Sequence, residues 1–208
     1  MYRLCDGIKF LKSLPDKSVD GIFTDPPWGY KRVLIQGQDK WKSLLRKVDK
    51  EAIRILRPGA RVLIWIGARA LGDSMKCFTR LEYKWFVLCR YIPPRFISSY
   101  VSEYDPILYF TLPGERMYYR KEKKISQMFM HPSRGRPSTK HPCARPSEIV
   151  QKILHQFFRP GEYVIDPFAG SDTLGVACRD LKIEYDTCEI DPKMYETGIE
   201  RNRQGFLC

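Results

Sequence analysis

Four consecutive residues, Asp25-Pro26-Pro27-Trp28, combine the parts that chemistry on a conjugated amine requires. The exocyclic amine of adenine or cytosine shares its lone pair with the ring and is a poor nucleophile. A carboxylate such as Asp25, with the Pro26 carbonyl beside it, can accept the amine protons and favour a pyramidal nitrogen whose lone pair is free to attack. Two successive prolines fix the backbone and aim those acceptors before a substrate arrives. Trp28 offers a flat face on which a flipped-out base can stack. Residues of these types also make ordinary proline-rich turns. Position is what argues for more: they follow the apolar run Val19–Thr24 directly, and open α/β sheets bind ligands at their strand ends.

A second constellation, Asp166-Pro167-Phe168-Ala169-Gly170-Ser171-Asp172-Thr173, also lies between a predicted strand and a predicted helix. A glycine-containing turn there lets a small ligand approach the backbone near the positive end of the following helix. Glu189 closes the next strand, at about the distance where nucleotide-binding folds place an acid for ribose hydroxyls. Together these features predict a Rossmann-like cofactor half.

The elements that must position both loops alternate along the whole chain, which predicts an α/β sheet protein. Val19–Thr24 and Arg61–Ile66 are continuous apolar runs, as expected of strands buried on both faces. Trp41, Leu44, Leu45, Val48, Ala52 and Ile55 recur at helical spacing, predicting a helix over Asp39–Leu56 that stops at Pro58-Gly59. Further strands are predicted at Trp85–Tyr91, Pro106–Leu112, Tyr163–Ile165 and Glu184–Cys188. Helices are predicted at Ser147–Phe158, Thr173–Leu181 and Pro192–Arg203.

The formal charge of +12 points to a polyanionic partner, since neutralising phosphates releases condensed counterions. Gly114–Lys140 concentrates that charge: Arg116, Arg120, Lys121, Lys123, Lys124, Arg134, Arg136 and Lys140 are interleaved with Tyr118, Tyr119, Phe129 and His131. Such a run is either a solvated loop or, beside a base-binding site, a nucleic-acid contact. No stretch approaches the roughly 20 apolar residues of a membrane span, and no export signal is recognisable, so a soluble, cytoplasmic protein is expected. The seven cysteines are scattered and odd in number, which argues for structural thiols rather than disulfides or zinc pairs. His131, His141 and His155 are too far apart to suggest a metal site, and the chemistry requires no metal. Trp41, Trp65 and Trp85 lie in predicted elements and are expected to pack in the core.

The order of these motifs resembles the β group of DNA amino-methyltransferases, in which a DPPY or DPPW loop comes first and an FxGxG-type cofactor loop last. Most of the chain takes part. Leu4-Cys5-Asp6-Gly7, followed by Leu14-Pro15-Asp16 and Val19-Asp20, is similar to the family's opening segment. Ser102-Glu103-Tyr104 to Phe110 is similar to the strand before its recognition region. His141-Pro142 with Arg145-Pro146 is similar to its HPxxKP segment, with Arg in place of Lys.

The resemblance implies S-adenosylmethionine as cofactor. Asp6 would contact its adenine and Glu189 its ribose, and Asp166 and Phe168 would border its methionine end. Ala169, Gly170, Ser171 and Thr173, together with His141 and Pro142, complete the implied cofactor-binding set. Asp25 and Trp28 would hold the target base. One departure stands out: Asp172 replaces the family's second glycine, bringing a carboxylate near where the cofactor carboxylate should lie. It either caps the following helix or weakens cofactor affinity. The motif order also implies that the last helix ends beside the opening strand Tyr2–Cys5, so that joining the termini would restore the unpermuted order.

The expectation is therefore a single domain over residues 1–208, with a short basic recognition insertion at about 114–140. Its fold should be a Rossmann-like, doubly wound, mostly parallel sheet with circularly permuted methyltransferase motifs. It would flip a DNA base and methylate its exocyclic amine, adenine N6 ahead of cytosine N4. RNA stays open as a partner, and so short a recognition region suggests a short target or a second subunit in a homodimer. The competing classes are a catalytically silent nucleic-acid-binding module, with Asp172 as its best support, and a small-molecule methyltransferase.

Overall fold

The computed structural model describes residues 1–27, 38–97, 100–116, 126–132 and 145–204. In chain order the elements are β1 (Tyr2–Leu4), α1 (Gly7–Ser13), β2 (Val19–Thr24), α2 (Gln38–Ile55), β3 (Leu56–Trp65), α3 (Leu71–Met75), β4 (Glu82–Ile97) and β5 (Tyr100–Thr111). They continue with β6 (Met128–Pro132), α4 (Ser147–Phe157), β7 (Tyr163–Asp166), α5 (Thr173–Asp180), β8 (Glu184–Glu189) and α6 (Pro192–Gln204). The eight strands form one sheet in the order β1-β8-β7-β2-β3-β5-β4-β6. From β1 to β3 every neighbour is parallel, β5 runs antiparallel to β3 and β4, and β6 joins β4 in parallel.

Helices cover both faces, which is why the central strands read as unbroken apolar runs. Successive residues of β3 alternate between the two layers. Val62 and Ile64, with Ile66 just past the strand, pack with Phe10, Trp41, Leu45, Val48, Ala52 and Ile55 of α1 and α2. Leu63 and Trp65 pack with Ile149, Ile153, Phe157, Leu174 and Ala177 of α4 and α5. The helical spacing of α2 thus marks its buried face, as predicted.

Termini far apart in sequence meet at the β1 edge. β1 pairs with β8, Leu4 opposite Glu189. On α6, Gly198 leaves no room for a Cβ beside the Tyr2 ring, and Tyr195 stacks on Tyr2 with centroids 4.7 Å apart. The last helix therefore does lie beside the first strand, as the permuted order implied.

Three features differ from expectation. The basic segment contains a strand, β6, paired to β4 from Leu88 to Ile92. α1 and α3, of seven and five residues, are too short to show helical periodicity. Trp85, expected in the core, is 46% exposed: among the described residues β6 flanks β4 only from Leu88 onward and does not reach Trp85. Trp41 and Trp65 are buried as expected.

Candidate active site

The chain reverses its direction of travel across the sheet between two neighbouring parallel strands. β7 leads through α5 to β8 on one side, and β2 leads through α2 to β3 on the other. Such a switch point opens a crevice beyond the carboxyl ends of the strands. Thr24 and Asp166 are the last residues of β2 and β7, and they touch: Thr24 Oγ1 donates to Asp166 Oδ1 at 2.5 Å. Phe168 N–H donates to the same oxygen at 2.9 Å. The two loops singled out from sequence therefore emerge side by side. Burial pushes the Asp166 carboxyl up to about 8, against those two hydrogen bonds, and the negative charges of Asp172 and Asp25 add to the rise.

An acid follows or ends each of four adjacent parallel strands at this edge: Asp6 after β1, Glu189 on β8, Asp166 on β7 and Asp25 after β2. Glu189 Oε2 accepts the Gly170 N–H, and Oε1 accepts those of Ile190 and Asp191, all at 2.8 Å. These three bonds pin the carboxylate to the Gly170 turn, where φ is +54°, and leave acceptor capacity on Oε2. Asp6 caps α1, its Oδ1 accepting the Lys9 N–H at 2.8 Å. Gly7 presses against Pro167 and Phe168 so closely that any Cβ would collide with the Pro167 carbonyl, which sets Asp6 against the Asp166–Thr173 turn.

Asp172 is fully buried at φ +56°. Its Oδ1 accepts from Thr187 Oγ1 at 2.7 Å and from Gly175 N–H, and its Oδ2 from Asn202 Nδ2 at 2.8 Å. Burial raises its pKa while those hydrogen bonds lower it. The carboxylate thus caps α5 and points into the fold, tying the turn to β8 and α6.

The Asp25 carboxylate is half-buried and held from a distant part of the chain. Arg145 Nε donates to Asp25 Oδ2 at 2.8 Å, and its Nη1 to Asp105 Oδ2 at 3.1 Å. Its guanidinium carbon lies 4.5 Å from the centroid of the Trp65 ring. Thr24, Arg145 and Asp105 carry no role in the sequence reading. Arg145 had a signal, since it fills the Lys position of the HPxxKP-like segment. Asp105 had none, because only the β3–β5 pairing brings it here.

Pro26 is buried, Pro27 half-buried, and Ala169 and Ser171 are buried in the turn. Thr173 begins α5, and Thr173 Oγ1 donates to the Arg145 carbonyl at 3.4 Å. Of the proposed nucleic-acid contacts Arg116 is exposed. Trp28, Arg120, Lys121, Lys123, Lys124, Arg134, Arg136, Lys140, His141 and Pro142 lie outside the described residues. Among the described residues no helix is long and apolar enough to cross a membrane.

A row of acceptors beside a glycine turn, next to a proline-fixed carboxylate, can bind a nucleoside-like cofactor and take a proton from an amine. The sequence profile of the N6/N4 methyltransferase family, described as DNA methylase, matches residues 19–200. Type II methyltransferase M.HpaI of Haemophilus parainfluenzae is 23% identical over 94% of this chain and 72% of its own length. DNA adenine methyltransferase YhdJ of Escherichia coli is 22% identical over 94% of this chain and 80% of its own. The crystal structure of the M1.HpyAVI–SAM complex superposes with a TM-score of 0.78 at 23% identity, covering 97% of this chain and 98% of that one.

Proposed function

Because this chain belongs to the N6/N4 family of DNA methylases, and so is an S-adenosylmethionine-dependent DNA amino-methyltransferase, we propose that it methylates N6 of a flipped-out adenine, with Asp25 as the catalytic carboxylate. The observation that carries this reading is the Thr24–Asp166 hydrogen bond, which holds the Asp25 loop and the Gly170 turn at one switch point. An adenine target draws support from the similarity to the adenine methyltransferase YhdJ and from Trp28 at the fourth loop position.

When bound, S-adenosylmethionine supplies an electrophilic methyl group on a sulfonium. The described residues fit it: Glu189 keeps room for a ribose hydroxyl on Oε2, and Asp6 Oδ2 accepts no hydrogen bond among them. Asp6 would take the adenine amine, and Asp166 and Phe168 would border the methionine end, with Ala169, Gly170, Ser171 and Thr173 closing the turn. His141 and Pro142 belong to the same side by their motif. The Asp25 carboxylate, with the Pro26 carbonyl beside it, accepts the protons of the target amine and draws its lone pair out of conjugation. Pro26 and Pro27 hold that carboxylate's backbone still, and Trp28 stacks on the extruded base. Arg145 is a positioning residue that fixes the Asp25 carboxylate against Asp105 and Trp65.

Residues 1–208 act as one domain in this reading, and the basic segment from Arg116 to Lys140 contacts DNA phosphates. Mass spectrometry of nucleosides after incubation with DNA and S-adenosylmethionine tests it. N6-methyldeoxyadenosine is expected. N4-methyldeoxycytidine would replace the adenine assignment, and DNA binding without any methylated nucleoside would favour a silent binding module.

A further inference from the structure

Arg201 lies on α6, yet it reaches the turn before α5. Its Nη1 donates to Thr173 Oγ1 at 2.7 Å and to Ser171 Oγ at 3.3 Å. Burial pushes its pKa down, with the Asp172 charge opposing. These two hydroxyls are its hydrogen-bond partners among the described residues, and no carboxylate of theirs lies within ion-pair distance. Its Nε and Nη2 are neither bonded within that set nor sealed from solvent. A guanidinium carries five donors in a flat fork suited to a carboxylate, and the hydrogen bonds of this half-buried cation among the described residues go only to hydroxyls, with the Asp172 charge acting on it from beyond ion-pair distance.

The turn itself explains why a cation belongs there. A helix start such as that of α5 attracts anions through its free N–H groups. Here Asp172 occupies the cap and brings a carboxylate of its own, where the family pattern has glycine. An anion arriving at this turn meets a negative charge and needs a positive one to offset it. α6 supplies both corrections from adjacent residues: Asn202 binds Asp172 Oδ2, and Arg201 stands over Ser171 and Thr173.

We propose that Arg201 is a cofactor-binding residue whose guanidinium takes the α-carboxylate of S-adenosylmethionine beside the Ser171–Thr173 turn. The proposal rests on the reading of Asp166–Thr173 as the cofactor loop.

Calorimetric titration of the full chain with S-adenosylmethionine and with its analogue lacking the α-carboxylate tests it. The natural protein should favour the carboxylate-bearing ligand by about ten- to hundredfold. Arg201→Gln should bind both ligands equally, at the affinity the natural protein shows for the analogue. Arg201→Lys, which keeps the charge and guards against a folding defect in the first variant, should retain part of the preference. An Arg201→Gln protein that still discriminates, or that loses affinity equally for both ligands, overturns the proposal, as does a natural protein with no preference. Binding of neither ligand to the natural protein would instead sink the cofactor-loop reading, and the proposal with it.

Discussion

Arg145 and Asp25, 120 positions apart, form an ion pair whose Nε–Oδ2 distance is 2.8 Å. The same guanidinium reaches Asp105 with Nη1 and lies over Trp65, so one planar fork is shared between two carboxylates. The side chains of Arg145 and Asp105 are only 10% and 6% exposed. Removing the cation therefore takes an ion-pair partner away from the buried Asp105 carboxylate.

Arg145→Ala should destabilise the fold by about 3–5 kcal/mol, the usual cost of breaking a buried pair from one side. Arg145→Lys should recover part of that loss, and adding Asp105→Asn to Arg145→Ala should recover more. Urea denaturation of the natural protein, Arg145→Ala, Asp105→Asn and their double variant measures the coupling; strictly additive losses would contradict the shared fork.

Asp25→Asn removes the proposed proton acceptor while keeping its shape. Methyl transfer from labelled cofactor should fall by about 10²–10⁴-fold. The cofactor dissociation constant should stay within about twofold, because the contacts assigned to the cofactor come from other strands. A parallel loss of binding would move Asp25 from the catalytic side of the site to the cofactor side.

The Asp166 carboxyl, pushed from its ordinary 3.8 up to about 8 by burial, binds a proton in the folded chain that the unfolded chain releases. Stability from that proton is complete below about pH 4 and disappears as pH rises towards about 8. Asp166→Asn, neutral throughout, should show a shallower fall in unfolding free energy from about pH 4 to about pH 8. Identical pH slopes for the two proteins would rule out a protonated Asp166.

Asp172→Gly suits the backbone, since φ +56° is free of strain for glycine. It also takes the acceptor away from Thr187 and Asn202 at a fully buried position. The second effect outweighs the first, with a net loss of about 1–3 kcal/mol. Thermal unfolding decides between them: a stabilised variant would mean that backbone strain dominates.

The basic segment predicts steep salt dependence of DNA binding. Eight phosphate contacts would give a slope of log K against log salt of about −7. Replacing Arg120, Lys121, Lys123 and Lys124 with Gln should make it shallower by about 3–4. An unchanged slope would place the DNA contacts elsewhere.

Both loops, the cofactor they resemble a site for, and most strands and helices were legible in the chain alone, because each is written in neighbouring residues. Val19, Ile22 and Phe23 mark the buried apolar positions of β2, Asp25-Pro26-Pro27 stiffens its own backbone, and α2 repeats its buried face every third or fourth residue. Motif order even indicated that α6 would meet β1. These are local or pattern-borne properties, and they survive in one dimension.

Tertiary structure alone decided which side chains complete the site. Arg145 reaches Asp25, Thr24 reaches Asp166 and Arg201 reaches Thr173 only once β7 lies between β8 and β2 and α6 packs against the turn. The same holds for the inward turn of Asp172 and for the exposure of Trp85. A side chain's partners depend on which strands lie side by side, and sheet order is fixed by burying both faces of the whole sheet at once. No window of sequence contains that sum.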